Sequence, residues 1–371
     1  MSRVLFLVHG MGANAPGWSA SVKEKLNEVA LRYPGFRREY PSGDMTDLVE
    51  VAEITYDDCF SRYVNDWDES LAALEEFVPP NELHAGEPLD DFSKVIAWVR
   101  DDAHPTERSF FWSHAVDVLL YRFFPLVTDE VRATVLDQMA ARLARPNVQG
   151  SVLAHSLGTR VALDCLHLLG TVPFGSGESF LASNGYFFDA VFTVANVSAG
   201  MGRVRRGDPP LYQSIVHPLT TPRNVVSAPG YCGAFFDYRH ALDPFTAAKP
   251  FTPQGWGSDY VTPARAFDDL APDWNVHGFT HYLEHPAVHV PIINTMLAKA
   301  DPLVSQAELA AAIGNYRAPA LPPCQQVVQR FVTRIEELAA TLRTTGGDVA
   351  TFIIAAAQFY AAIQEARDAC R

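Results

Sequence analysis

The sequence is poor in positive charge. Lysine and arginine number 29 against 43 acidic residues, giving a net charge of −14 at pH 7. That balance repels polyphosphate, so it argues against nucleic acid or an anionic membrane as the main partner. Cysteine is scarce too. Cys59, Cys165, Cys232, Cys324 and Cys370 are odd in number, far apart and set mostly in apolar segments. Their spacing fits no metal site, and they read as reduced thiols in a cytoplasmic protein. No apolar run is long enough for an integral membrane span, since the longest, residues 352–363, is short and contains Gln358. Residues 1–8 already read as a strand, which leaves no room for a signal peptide. A GxGxxG fingerprint and a Walker lysine are both missing, so no nucleotide cofactor is expected. There is no internal repeat and no low-complexity tract.

What remains is ordinary globular material, 48% hydrophobic and 19% charged. Its length suits one large α/β domain, read over 1–300, with an appendage over 301–371. Arg3 is followed by a continuous apolar run, Val4 to Val8, the mark of a strand buried on both faces of a parallel sheet. It leads into His9, Gly10, Met11 and Gly12, where small residues let the backbone approach a ligand. A helix follows over about 21–32, and a second strand over Val49–Tyr56. The interval before the next strand is long. Its later part reads as two helices, 113–124 and one capped by Thr128. Its earlier part, about 57–110, is irregular, rich in Trp, Phe and Pro, and reads as a cap over a site.

The stretch that organises the chain is Ser151 to Thr159. Val148–Leu153 predicts a buried strand and Thr159–Leu169 a helix. Between them Ala154-His155-Ser156-Leu157-Gly158 is a sharp strand-to-helix turn with a serine at its apex. Such a turn needs small residues two before and two after the serine, and the usual pattern is G-x-S-x-G. Here Ala154 stands for the first glycine and Gly158 is the second. Further strands are expected over 189–197, 234–243 and 274–281. Beyond 301, Ser305 and Glu308 form a capping box. Val327, Phe331, Ile335, Leu338 and Leu342, then Val349, Phe352, Ala356, Phe359 and Ile363, give an αα-hairpin with an apolar seam. The seam packs on the main domain or on a second copy in a homo-oligomer; spacing alone does not choose.

A serine hydroxyl needs a base in hydrogen-bond reach and a carboxylate to orient that base. Asp243 follows a strand and precedes Pro244, so it is the chosen acid; Asp259, Asp268 and Asp269 are the alternatives, and Asp237 lies within a strand. The base comes from His277, His281, His285 and His289. Their spacing of four suggests a metal stripe only on one unbroken helix, which Gly278 and Pro286 prevent. His155 is read as a packed neighbour.

The strand running into His9-Gly10, the A-H-S-L-G turn and the acid-then-histidine tail together resemble the α/β-hydrolase superfamily, and within it serine esterases and lipases. The likeness covers about 1–300. It implies an α/β-hydrolase fold, a mostly parallel sheet flanked by helices, and cleavage of a small-molecule or lipid ester without a cofactor. It also implies a nucleophile at Ser156, oxyanion donors at the Met11 and Leu157 amides, and a scaffold role for His9. The family's histidine lies in the loop after the last strand, shortly before a helix, and His281 fits that position best. An acyltransferase or thioesterase with the same triad, and an inactive binding or assembly module, are the other functions this likeness admits.

Overall fold

A computed structural model of the chain describes residues 2–12, 16–68, 94–95, 97–98, 101–103, 114–171, 173–174, 178–179, 181, 188–199, 232–251, 261–267, 270, 274–297, 301–316, 324–345 and 349–370. Six strands form its central sheet: β1 (Ser2–Val8), β2 (Glu50–Ile54), β3 (Val148–His155), β4 (Phe188–Val194), β5 (Cys232–His240) and β6 (Val261–Phe267). Their order is β2-β1-β3-β4-β5-β6, and all five pairings are parallel. The order reverses beside β1, so the loops leaving β1 and β3 diverge and open a crevice at the carboxyl edge. Open parallel sheets bind ligands at such a switch point.

Burial is continuous from Val4 to Val8 along β1, as a doubly covered strand requires, while the side chains alternate between two cores. Val4, Phe6 and Val8 face one core, with Val131, Val135, Met139 and Leu163. Leu5 and Leu7 face the other, with Leu26, Val29, Val290 and Ile293. The covering helices are α1 (Ala20–Ala30), α2 (Pro34–Glu39), α3 (Asp57–Asp68), α4 (Val116–Phe123), α5 (Pro125–Leu143), α6 (Leu157–Thr171), α7 (Pro244–Ala248), α8 (Phe279–Glu284), α9 (Pro286–Leu297), α10 (Gln306–Asn315), α11 (Gln325–Thr344) and α12 (Val349–Ala369). Among the described residues, no helix is long and apolar enough to cross a membrane.

Several expectations change. Residues 274–281 are not a strand. Trp274, at φ +65°, opens a turn that Gly278 closes by donating to the Asn275 carbonyl, and α8 starts at Phe279. The burial of Trp274 and Val276 imitates strand alternation. The last strand is β6, which spacing missed because Pro263 interrupts it. Proline lacks an N–H for the ladder and is tolerated on an edge strand. The β5–β6 register accordingly jumps from Phe236↔Thr262 to Tyr238↔Arg265. Thr128 caps nothing: α5 starts at Pro125, and the Thr128 hydroxyl donates back to the Tyr121 carbonyl at 2.6 Å. The proposed cap region begins as a regular helix, α3, with Trp98 buried in the core. Most of the rest of 57–110 lies outside the described residues, as do Asp259, Asp268 and Asp269.

The appendage is part of the same core. The capping box at Ser305 forms with both of its bonds. The α11–α12 seam packs on its own chain: Phe331 meets Trp274 edge-on at 5.2 Å, while Phe352 and Phe359 meet Phe245 at 5.1 and 5.5 Å. The expectation of five reduced thiols is also corrected. Cys324 and Cys370 are joined in a disulfide, with Cα atoms 6.0 Å apart, tying the start of α11 to the end of α12. Their proximity is tertiary, which spacing does not reveal, and the thiol argument for a cytoplasmic setting lapses with it. Cys59, Cys165 and Cys232 are buried and unbridged.

Candidate active site

Ser156 sits at the end of β3 with φ +54°, a left-handed conformation costing a non-glycine residue about 1–2 kcal/mol. The turn holds because both sides are tied. Ser156 N–H donates to Val194 O at 3.1 Å, and Ser156 O accepts from Thr159 N–H and Oγ1 at 2.9 and 2.7 Å. The small residues have a direct cause. A Cβ on Gly158 would lie 2.0 Å from the His9 carbonyl oxygen, and one on Gly10 would lie 2.7 Å from Ser156 Cβ. Ala154 is fully buried.

Tertiary structure brings two distant groups to this serine. His277 Nε2 lies 2.8 Å from Ser156 Oγ, and His277 Nδ1 lies 2.7 Å from Asp243 Oδ2. The carboxylate can only accept, so Nδ1 carries the proton and Nε2 offers a lone pair to the serine hydroxyl. Asp243 is fully buried at the N-cap of α7. Burial alone would raise its carboxyl, but adjacent His277, the Phe245 N–H and the Tyr282 hydroxyl outweigh that and hold it below the usual range. The Phe245 and Tyr282 bonds are 3.1 Å each. Tyr282 O also accepts from His240 N–H at 2.9 Å, which fixes its orientation.

His281, the expected base, does not reach Ser156. It lies on α8 beside His240, with ring centres 5.2 Å apart, on the rim of the same cavity. His277 lies in the loop just before α8, whereas placing the last strand at 274–281 moved that loop four residues too far. His285 ends α8 against Tyr316, and buried His289 is bonded to Tyr33 Oη and Leu283 O at 2.6 and 2.8 Å. Burial pushes the His289 imidazole down to about 4. Asp237 instead bonds to Thr193 and Asn196.

His155 is more than packing. Its Nε2 lies 2.7 Å from the His277 carbonyl, and its ring stacks flat on Phe279 at 4.8 Å. Sequence offered no signal for this tie, which joins residues 122 positions apart.

The β1 loop forms the facing wall. His9 is buried, 2.8 Å from the Asp57 carboxylate and stacked on Tyr56, whose hydroxyl donates to His9 O at 2.5 Å. Gly12, at φ +110°, donates to Asp117 Oδ2 at 2.9 Å, and a Cβ there would strike His114. Burial pushes the Asp117 carboxyl up to about 7, with Gly12 N–H opposing and Asp57 adding to the rise. Met11 lines the cavity, and Leu157 opens α6, where the first N–H groups have no intrahelical partner.

The cavity at Ser156 holds about 380 Å³, within the range of small-molecule sites. Its other wall is α12, through Ala356, Phe359, Tyr360 and Ile363. Among the described residues, no group of three or more His, Cys, Asp or Glu side chains could hold a metal ion. Comparison of the chain with protein-family models, curated proteins and solved structures finds no match.

Proposed function

We propose that this chain is a serine hydrolase of the α/β-hydrolase superfamily that cleaves carboxylic esters through an acyl-enzyme on Ser156. The observation carrying this reading is the unbroken hydrogen-bond chain from Ser156 Oγ through His277 to buried Asp243. Two further features support it. The three residues follow the chain order serine, acid, histidine, in loops at the carboxyl ends of parallel strands. The serine also sits in a left-handed turn that the surrounding bonds over-determine, as expected where strain is kept for function.

The chemistry follows from the protonation states. Ser156 Oγ attacks the ester carbonyl while His277 Nε2 takes its proton. The resulting imidazolium is stabilised by Asp243, which stays ionised. The oxyanion is held by the Leu157 N–H and the Met11 N–H, each contributing about 3 kcal/mol in such sites. His277 then returns the proton to the departing alcohol. Water attacks the acyl-enzyme with His277 again taking a proton, and the carboxylic acid leaves as Ser156 recovers its hydrogen. No cofactor takes part. The complete serine–histidine–acid contact favours this over an inactive binding module.

The test is labelling by a fluorophosphonate with the modified peptide identified, together with Ser156→Ala. The variant should lose roughly 10⁴–10⁶-fold in p-nitrophenyl ester turnover while staying folded. Unchanged turnover, or label on another residue, would overturn the proposal.

A further inference from the structure

The side of the cavity formed by α12 has no counterpart in the resemblance, which stops near residue 300. Ala356, Phe359, Tyr360 and Ile363 recur at the i, i+3, i+4, i+7 spacing that puts them on one helix face, and all four line the cavity that holds Ser156. Contacts with Phe245 fix this face in place. Phe352 and Phe359 clasp Phe245, whose ring lies edge-on to His277 at 5.1 Å.

The reaction itself orients a substrate here. His277 Nε2 must reach the leaving oxygen, so the alcohol lies toward the polar stretch Asn275–His281 on the same rim. The apolar wall of the cavity is the α12 face, which passes His114, its ring centre 6.2 Å from that of Tyr360, toward Gly12. From Ala356 to Ile363 the wall runs about 10 Å at the helical rise, the length of a chain of roughly eight carbons.

Resting on the serine-hydrolase reading above, we infer that α12 is the acyl-chain wall and selects esters of medium-length carboxylic acids. The C-terminal hairpin is then an element that sets chain-length preference.

The experiment measures kcat/KM for p-nitrophenyl acetate and octanoate, and for ethyl and octyl acetate, in the full chain and in Ala356→Phe and Tyr360→Ala. Ala356→Phe fills the wall and should lower the octanoate-to-acetate ratio by tenfold or more. Tyr360 is only half-buried, so its alanine variant should fold even where the larger side chain does not. That variant should lower the ratio by about threefold. The ratio of octyl to ethyl acetate should hold in both. Unchanged acyl ratios in folded variants, or a shift confined to the alcohol series, would overturn the inference. Fluorophosphonate labelling of Ser156 separates the two levels. With Ser156 labelled, unmoved ratios sink the wall alone; with no label, the hydrolase reading fails and the wall with it.

Discussion

The imidazole of His155 donates from Nε2 to the peptide carbonyl of His277 at 2.7 Å, so the residue before Ser156 holds the loop that carries the histidine bonded to Ser156. The carbonyl can only accept, which fixes the His155 tautomer. Burial, reinforced by neighbouring His277, pushes this imidazole down to about 3, so it stays neutral across the working range. His155→Phe keeps a flat ring for Phe279 but strands the carbonyl, a loss of about 1–3 kcal/mol for a buried group. We expect kcat to fall about tenfold or more with KM little changed, and His155→Gln, which restores an N–H donor, to recover part of it. Equal kcat in the phenylalanine variant and the unaltered protein would remove the positioning role.

His277 and His281 should part company on mutation. His277→Ala should cost about as much as Ser156→Ala, and the double variant little more than either, because residues acting as one unit are not additive. His281→Ala should cost less than about tenfold, through the cavity rim. Steady-state kinetics of the four proteins checks this. An inactive His281→Ala beside an active His277→Ala would reverse the assignment.

Asp117 links the β1 loop to pH. Its folded pKa, raised to about 7, exceeds the unfolded value of about 3.9. Between those values the folded state binds the extra proton, so Asp117 makes stability fall as pH rises from about 4 to about 7. The lost stability is on the order of 2–4 kcal/mol. Asp117→Asn keeps an acceptor for Gly12 N–H and should flatten that part of the profile, measured by denaturant unfolding at pH 5 and pH 8. Asp117→Ala frees the loop and should lower kcat about tenfold, whereas the asparagine variant should stay within about threefold. An asparagine variant with the same pH slope as the unaltered protein would show that another group is responsible.

Local chemistry was legible in the sequence where it acts over a few residues. The apolar run of Val4–Val8 forms β1 because both its faces need cover. The small residues around Ser156 form a sharp turn because a Cβ at 158 would meet the His9 carbonyl. Asp243 was readable from its place between a strand and a proline. The base was not. Choosing His277 over His281 depends on where the last strand ends, and Pro263 disguised that strand while buried Trp274 and Val276 imitated another.

Sequence by itself therefore determined the strands and helices around β1 and Ser156, the serine at its turn and the capped, seamed helices of the C-terminus. These follow from periodicity and backbone sterics, which are local. Tertiary structure alone decided which histidine meets Ser156, that Cys324 meets Cys370, and that α12 lines the cavity. Each of these joins residues brought together only by the stacking order of the sheet and the packing of the hairpin onto Phe245 and Trp274. Spacing along the chain carries no measure of that distance.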